Sequence, residues 1–352
     1  MLLLQEIKEG FSKIIHSQTV RLHFLENNNG LKVGICNYGA RITHFLVPDK
    51  NNTDIVLGFD DLAAYLNAAE RYHGVTVGPY ANRINNAQFI LDDITYQLEE
   101  NNGKNSLHAG STGFHDKIWD IVKEERNAIT LKVMSNDQEG GFPGNLNVQI
   151  TFTLTNENEL RMDYSAISDQ NTIVNLTNHA YFNLNGEGNG DVLHHQVKID
   201  ADEFVEIDET CIPTGKLLKV ADGAFDFRNP KPIGQDINKG DNQLLMGNGY
   251  DHSFVINKSE NEFAFAASAE GDLTGITLEV YTSEPAMQFY TGNFLNNLDK
   301  GKMGEIYKAR TGFCFETQHH PDSPNQPQFP STLLKAHQEF KSKTVYKIIL
   351  PQ

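Results

Sequence analysis

Along most of the chain, hydrophobic residues either alternate with polar ones or form short apolar runs closed by Asn, Asp and Gly. Leu31–Cys36 and Ala40–Val47, separated by Asn37-Tyr38-Gly39, read as strand, turn, strand. Phe89–Leu98 carries Asp92-Asp93 at its centre and predicts a tight hairpin. From Trp119 to Asn178 the segments Ile129–Met134, Val148–Leu154, Leu160–Ile167 and Ile173–Leu176 repeat the strand pattern. It continues through Val197–Ile199, Ser253–Ile256, Phe263–Ala267, Ile276–Tyr281, Met287–Tyr290 and Val345–Leu350. Asp61–Ala69 is one of few helical stretches, too short for repeated crossovers between parallel strands. The pattern predicts an all-β fold, a large antiparallel β-sandwich with few short helices. A propeller is the alternative, although no repeat of blade length is present. No linker, low-complexity stretch or charge block interrupts the pattern, so residues 1–352 are expected to form a single domain.

Composition narrows the partners. The 46 acidic against 29 basic residues give a formal net charge of -17, which repels phosphate backbones and anionic lipid. Nucleic acid and membrane are therefore not expected partners, and a neutral small solute fits best. Cys36, Cys211 and Cys314 lie far apart without a CxxC pair, which suits a reducing compartment. The apolar start Met1-Leu2-Leu3-Leu4 is broken by Gln5, Glu6, Lys8 and Glu9, short of signal-peptide length, so a cytoplasmic location is expected.

Candidate chemistry collects where strand signals end. Glu316, after the apolar run Gly312-Phe313-Cys314-Phe315 and before His319-His320-Pro321, reads either as a general base aimed by a strand terminus or as a charged strand-end residue. Arg83 suits a clamp on a substrate oxygen or an ion pair with an acid. His108 lies in a Gly- and Asn-rich loop, solvent-facing or functional; His179 lies in a probable strand, a satisfied core residue or a catalytic one. Asp251 would accept from substrate hydroxyls or cap a turn. There is no GxSxG elbow, P-loop, dinucleotide fingerprint or HExxH spacing, and the adjacent histidines His194-His195 and His319-His320 point to opposite sides of an extended chain. No metal is expected.

Taken together, the segments Asn37-Tyr38-Gly39-Ala40, Tyr80-Ala81-Asn82-Arg83-Ile84, Asn105-Ser106-Leu107-His108, Thr177-Asn178-His179-Ala180-Tyr181-Phe182-Asn183-Leu184, Gly249-Tyr250-Asp251-His252, Met287-Gln288-Phe289-Tyr290 and Glu316-Thr317-Gln318-His319 resemble, in order, those of the aldose 1-epimerase (galactose mutarotase) family. The resemblance spans nearly the whole chain. It implies a supersandwich with an open cleft, Glu316 as general base, His179 as general acid and His108 as the second histidine near the ring oxygen. Asn82, Arg83, Asp251 and Gln288 match positions that hold the sugar. Pro79 departs from the pattern, where Arg is expected, and so bears on local charge.

The implied activity interconverts α and β anomers of free hexoses such as glucose and galactose, as a monomer or weak homodimer, with no cofactor. Glu316 would take the C1 hydroxyl proton while His179, held as an imidazolium by a nearby carboxylate, protonates the ring oxygen. Activity would then fall on the alkaline side as His179 deprotonates and on the acid side as Glu316 protonates. A non-catalytic sugar-binding relative is the alternative. A glycosidase would need a second carboxylate across the bond, which only Asp251 offers.

Overall fold

The computed structural model describes residues 4–49, 51–260 and 262–351; Met1, Leu2 and Leu3 of the apolar start lie outside them. Strands dominate, and among the described residues the α-helices are three short ones, Leu4–Phe11, Leu62–Asn67 and Asn242–Met246. The second is the helix expected after Asp61, whose carboxylate caps it by accepting from the Ala64 N–H at 2.9 Å.

Three larger sheets organise the chain, each strand pairing antiparallel. The largest has nine strands and contains the expected meander Ala128–Ser135, Leu146–Leu154 and Glu159–Ser168, which continues into Glu339–Ile349, Thr277–Thr282 and Ala264–Glu270. A five-stranded sheet runs Pro213–Lys219, Glu203–Ile207, Asp251–Val255, Ala286–Tyr290 and Cys314–Gln318. A four-stranded sheet holds Leu22–Glu26, Lys32–Cys36, Arg41–Val47 and Thr53–Asp54. The hairpin expected at Asp92-Asp93 is present between Gln88–Leu91 and Ile94–Gln97, with both aspartates at positive φ, 50° and 60°. That is the backbone a two-residue turn needs to match strand twist.

The core follows from the period-two alternation. Leu131, Ile150, Phe152 and Met162 from the nine-stranded sheet share one continuous apolar cluster with Phe204, Phe254, Phe289 and Phe315 from the five-stranded one. Each fully buried side chain of this kind contributes about 1.5–3 kcal/mol, so the interior between the two sheets is the main source of cohesion.

The sequence pattern misses in several places, His179 among them, which lies just past a strand rather than in one. Glu203–Ile207 and Pro213–Lys219 are strands without a strong apolar signature; the second begins on a proline and carries Gly215, which a sheet tolerates because this strand is its edge. Of Ile173–Leu176, only Ile173 lies in a strand, Thr172–Ile173. The rest is threaded between other segments, Val174 N–H donating to the Thr332 carbonyl and Asn175 N–H to that of Pro79, both at 2.9 Å. Finally, Glu316 is not at a strand end. Cys314–Gln318 runs through it, because pairing with Ala286–Tyr290 continues to Gln318.

Candidate active site

That correction explains the site. In the five-stranded sheet Ser253, Gln288 and Glu316 lie side by side across three strands, as do Asp251, Tyr290 and Cys314. Phe254, Phe289 and Phe315 point the other way, into the core. The polar face does not meet water, because residues 70–83 and 175–182 lie over it. Glu316 and Gln288 are each only 2% exposed.

His179 is delivered from that cover. It follows the two-residue strand Thr177–Asn178, and its backbone is gripped on both sides: its N–H donates to Val75 O at 2.9 Å and its carbonyl accepts from Gly74 N–H at 3.0 Å. Gly74 is required there. Its φ is +70°, and a Cβ would fall 1.9 Å from the Ile42 carbonyl oxygen. Asn178 braces the same turn, donating to Gly74 O at 2.9 Å and accepting from Ala180 N–H at 3.1 Å.

His108 and Asn82 hold each other. His108 N–H donates to Asn82 O at 3.2 Å, and Asn82 N–H donates to His108 Nδ1 at 3.1 Å. A backbone N–H only donates, so Nδ1 bears the lone pair and His108 presents Nε2–H. Arg83 reaches Asn102 Oδ1 at 3.1 Å and Asp251 Oδ2 at 3.4 Å, while Gln288 Nε2 donates to Asp251 Oδ1 at 2.7 Å.

These groups line a pocket of about 200 Å³ formed by Asn82, Arg83, His108, His179, Asp251 and Glu316 together with Glu70, Tyr72, Asn102, Leu107, Tyr181, Tyr290 and Phe294. Its volume is below the ~300–1,000 Å³ of drug-sized ligand sites and suits a small polar solute. Six of the seven expected site residues therefore meet. Gln288 stands behind Asp251 rather than on the wall. Tyr181 and Tyr290 were legible in principle, each two residues beyond a named candidate and so on the same face; Glu70 and Tyr72 carry no such signal. Pro79 is buried and absent from the wall, where Arg83 is the one lysine or arginine among the described residues.

His179 Nε2 lies 3.7 Å from Glu316 Oε2, an oxygen with no hydrogen-bond partner among the described residues. Burial pushes His179 down to about 3. Burial also pushes Glu316 well above the usual carboxylate range, helped by the Asp251 charge. His108 is likewise held well below its ordinary value by burial. Burial thus disfavours both charged forms, and with them a standing imidazolium–carboxylate pair. It favours a proton on Glu316 over one on His179. One donor atom each from His108, His179 and Glu316 lie within 4.8 Å of one another, close enough to share a cation as well as a proton.

A larger groove of about 1,290 Å³ runs past Thr151, Asp163, Ser342 and the His319–Glu284 pair. There His319 Nδ1 meets Glu284 Oε2 at 2.7 Å. Size does not mark the reactive region; the convergence of two histidines, three acids and an arginine on the smaller pocket does.

Residues 21–347 match the family model described as aldose 1-epimerase. The chain is 43% identical to the galactose mutarotase of Bos taurus over 92% of its length and 93% of that protein. It is 40% identical to the aldose 1-epimerase of Haemophilus influenzae over 87% of this chain and 88% of the other. Among solved structures, an aldose epimerase homologue from C. elegans superposes with a TM-score of 0.87 at 33% identity, covering 95% of this chain and all of that one.

Proposed function

Because the chain belongs to the aldose 1-epimerase family, we propose that it interconverts the α and β anomers of free hexoses such as glucose and galactose through Glu316 and His179. The observation that carries the assignment of roles is the 3.7 Å approach of His179 Nε2 to the unpartnered Glu316 Oε2 in a polar pocket.

The productive state has the shared proton on His179. Glu316 takes the C1 hydroxyl proton, His179 gives its Nε2 proton to the ring oxygen, and the C1–O5 bond breaks to leave the open-chain aldehyde. Rotation about C1–C2 presents the other carbonyl face. Reclosure returns both protons, with the two residues exchanging roles. The low proton affinity of His179 makes its imidazolium a strong acid, which suits a weakly basic ring oxygen. The cost is that only a fraction of molecules hold the proton there. His108 donates through Nε2–H, and Arg83, Asp251 and Asn82 hold hydroxyls, Asp251 itself being held by Gln288.

The one-proton state of the pair sets the pH window. Below about pH 3 His179 also protonates; above the raised value of Glu316 the pair loses its last proton. The alkaline limb therefore belongs to the proton resting on Glu316, the reverse of the simple ion-pair assignment.

We also read the chain as one domain acting in the cytoplasm as a monomer or weak homodimer. Its three cysteines are free and buried, and among the described residues no helix is long and apolar enough to cross a membrane. Polarimetry of freshly dissolved α-D-glucose and α-D-galactose tests the activity. Faster relaxation to an unchanged final rotation is expected with at least one sugar; a rate equal to buffer with both would overturn the proposal.

A further inference from the structure

Cys314 stands two residues before Glu316 on the same strand and therefore on the same face of the sheet. The His179 ring bridges these two positions. Nε2 faces Glu316 Oε2 at 3.7 Å, and Nδ1 faces Cys314 Sγ at 3.5 Å, within hydrogen-bond reach of sulfur. The backbone carbonyl of His179 accepts the Gly74 N–H and is a second acceptor near the ring.

If Nε2 is the nitrogen that receives and releases the proton, Nδ1 must keep its hydrogen throughout, both in the imidazolium and in the neutral ring. That hydrogen needs an acceptor. We propose that the Cys314 sulfur is that acceptor, fixing His179 in the Nδ1–H tautomer and leaving Nε2 free to exchange its proton with Glu316 and the sugar. Cys314 is thus a positioning residue that acts through His179. The opposite arrangement, S–H donating to Nδ1, would leave hydrogen on Nε2 and a ring unable to accept a proton from Glu316.

A thiol suits this place for an electrostatic reason. Burial holds Cys314 well above the ordinary thiol range, so no thiolate forms beside the ring. A neutral sulfur is a weak acceptor and orients Nδ1–H without making the ring more basic. A carboxylate there would stabilise the imidazolium and weaken it as an acid. The two pocket histidines are thereby set in opposite tautomers: a backbone donor forces Nε2–H on His108, and a sulfur acceptor holds Nδ1–H on His179.

This inference rests on His179 being the acid, and the test separates the two. In the ¹⁵N-labelled full chain at neutral pH, with His179 resonances assigned by their loss in His179→Asn, a neutral ring protonated on Nδ1 is expected. Protonation on Nε2 would overturn the inference, whatever the activity of the variants. Cys314→Ala should mix the tautomers and lower kcat about 10–100-fold, the usual effect of removing the partner that orients a functional histidine, with KM little changed. Cys314→Ser, which keeps a small acceptor, should restore most of the rate. A Cys314→Ala protein with wild-type kcat and an unmixed ring would also overturn it. If Cys314→Ala does not fold, the wild-type spectrum still decides. An active His179→Asn would instead sink the acid assignment and with it the role given to Cys314, whatever tautomer the wild-type spectrum shows.

Discussion

The nine-stranded and five-stranded sheets obey the same alternation and use it differently. In Leu146–Leu154 buried and exposed residues alternate, one face in the core and the other toward water. In Ala286–Tyr290 and Cys314–Gln318 every residue is buried. Their apolar face enters the same core, but their polar face lies beneath other segments of the chain. The lesson is that a polar face becomes reactive when it is covered. Desolvation separates the proton affinities of Glu316 and His179 from their solution values, whereas Asn147 and Gln149 on the open sheet remain exposed to water.

The sharpest way to break this contrast is His179→Asn. It should lower kcat about 10²–10⁴-fold with little change in melting temperature, as measured by anomer-exchange rates and calorimetry. On the core side of Cys314–Gln318, Phe315→Ala should cost about 3–5 kcal/mol of stability in denaturant unfolding, an effect a catalytic residue would not produce.

The same residue type can then be compared on the two polar faces. Gln288→Ala removes the donor to a buried Asp251 oxygen and should cost about 1–3 kcal/mol, read chiefly as a raised KM. Asp251→Asn removes a charge that holds the Glu316 proton on, so the alkaline limb of the rate should move to lower pH; an unmoved limb would show that the limb belongs to another group. Gln149→Ala, on the open face of the nine-stranded sheet, should change stability by no more than about 0.5 kcal/mol and leave turnover intact.

Much of the sandwich was legible because its strands alternate and its turns carry Asn, Asp and Gly. Asp92-Asp93 marked a hairpin and Asp61 a helix start. Glu203–Ile207 and Pro213–Lys219 escaped because an edge strand and its neighbour need no continuous apolar run. The seven candidate site residues, Gln288 among them, were readable from ordered motifs that resemble a known family, and Tyr181 and Tyr290 follow from them by period two. Glu70 and Tyr72 could not be read, since only the fold carries residues 70–83 over the sheet. Nor could the protonation of the pair, because burial of Glu316 in mid-strand, rather than at a strand end, decides it.

Glu316→Gln tests the central claim most directly, with sugar binding by calorimetry and anomer exchange by polarimetry measured on the same preparation. A buried carboxylate with a raised pKa favours the folded state at low pH, and this advantage is lost as pH rises through the raised value. The variant should therefore melt no lower than wild type at neutral pH. The account predicts binding retained and turnover reduced about 10²–10⁴-fold. A variant that binds and still accelerates mutarotation at the wild-type rate would contradict it.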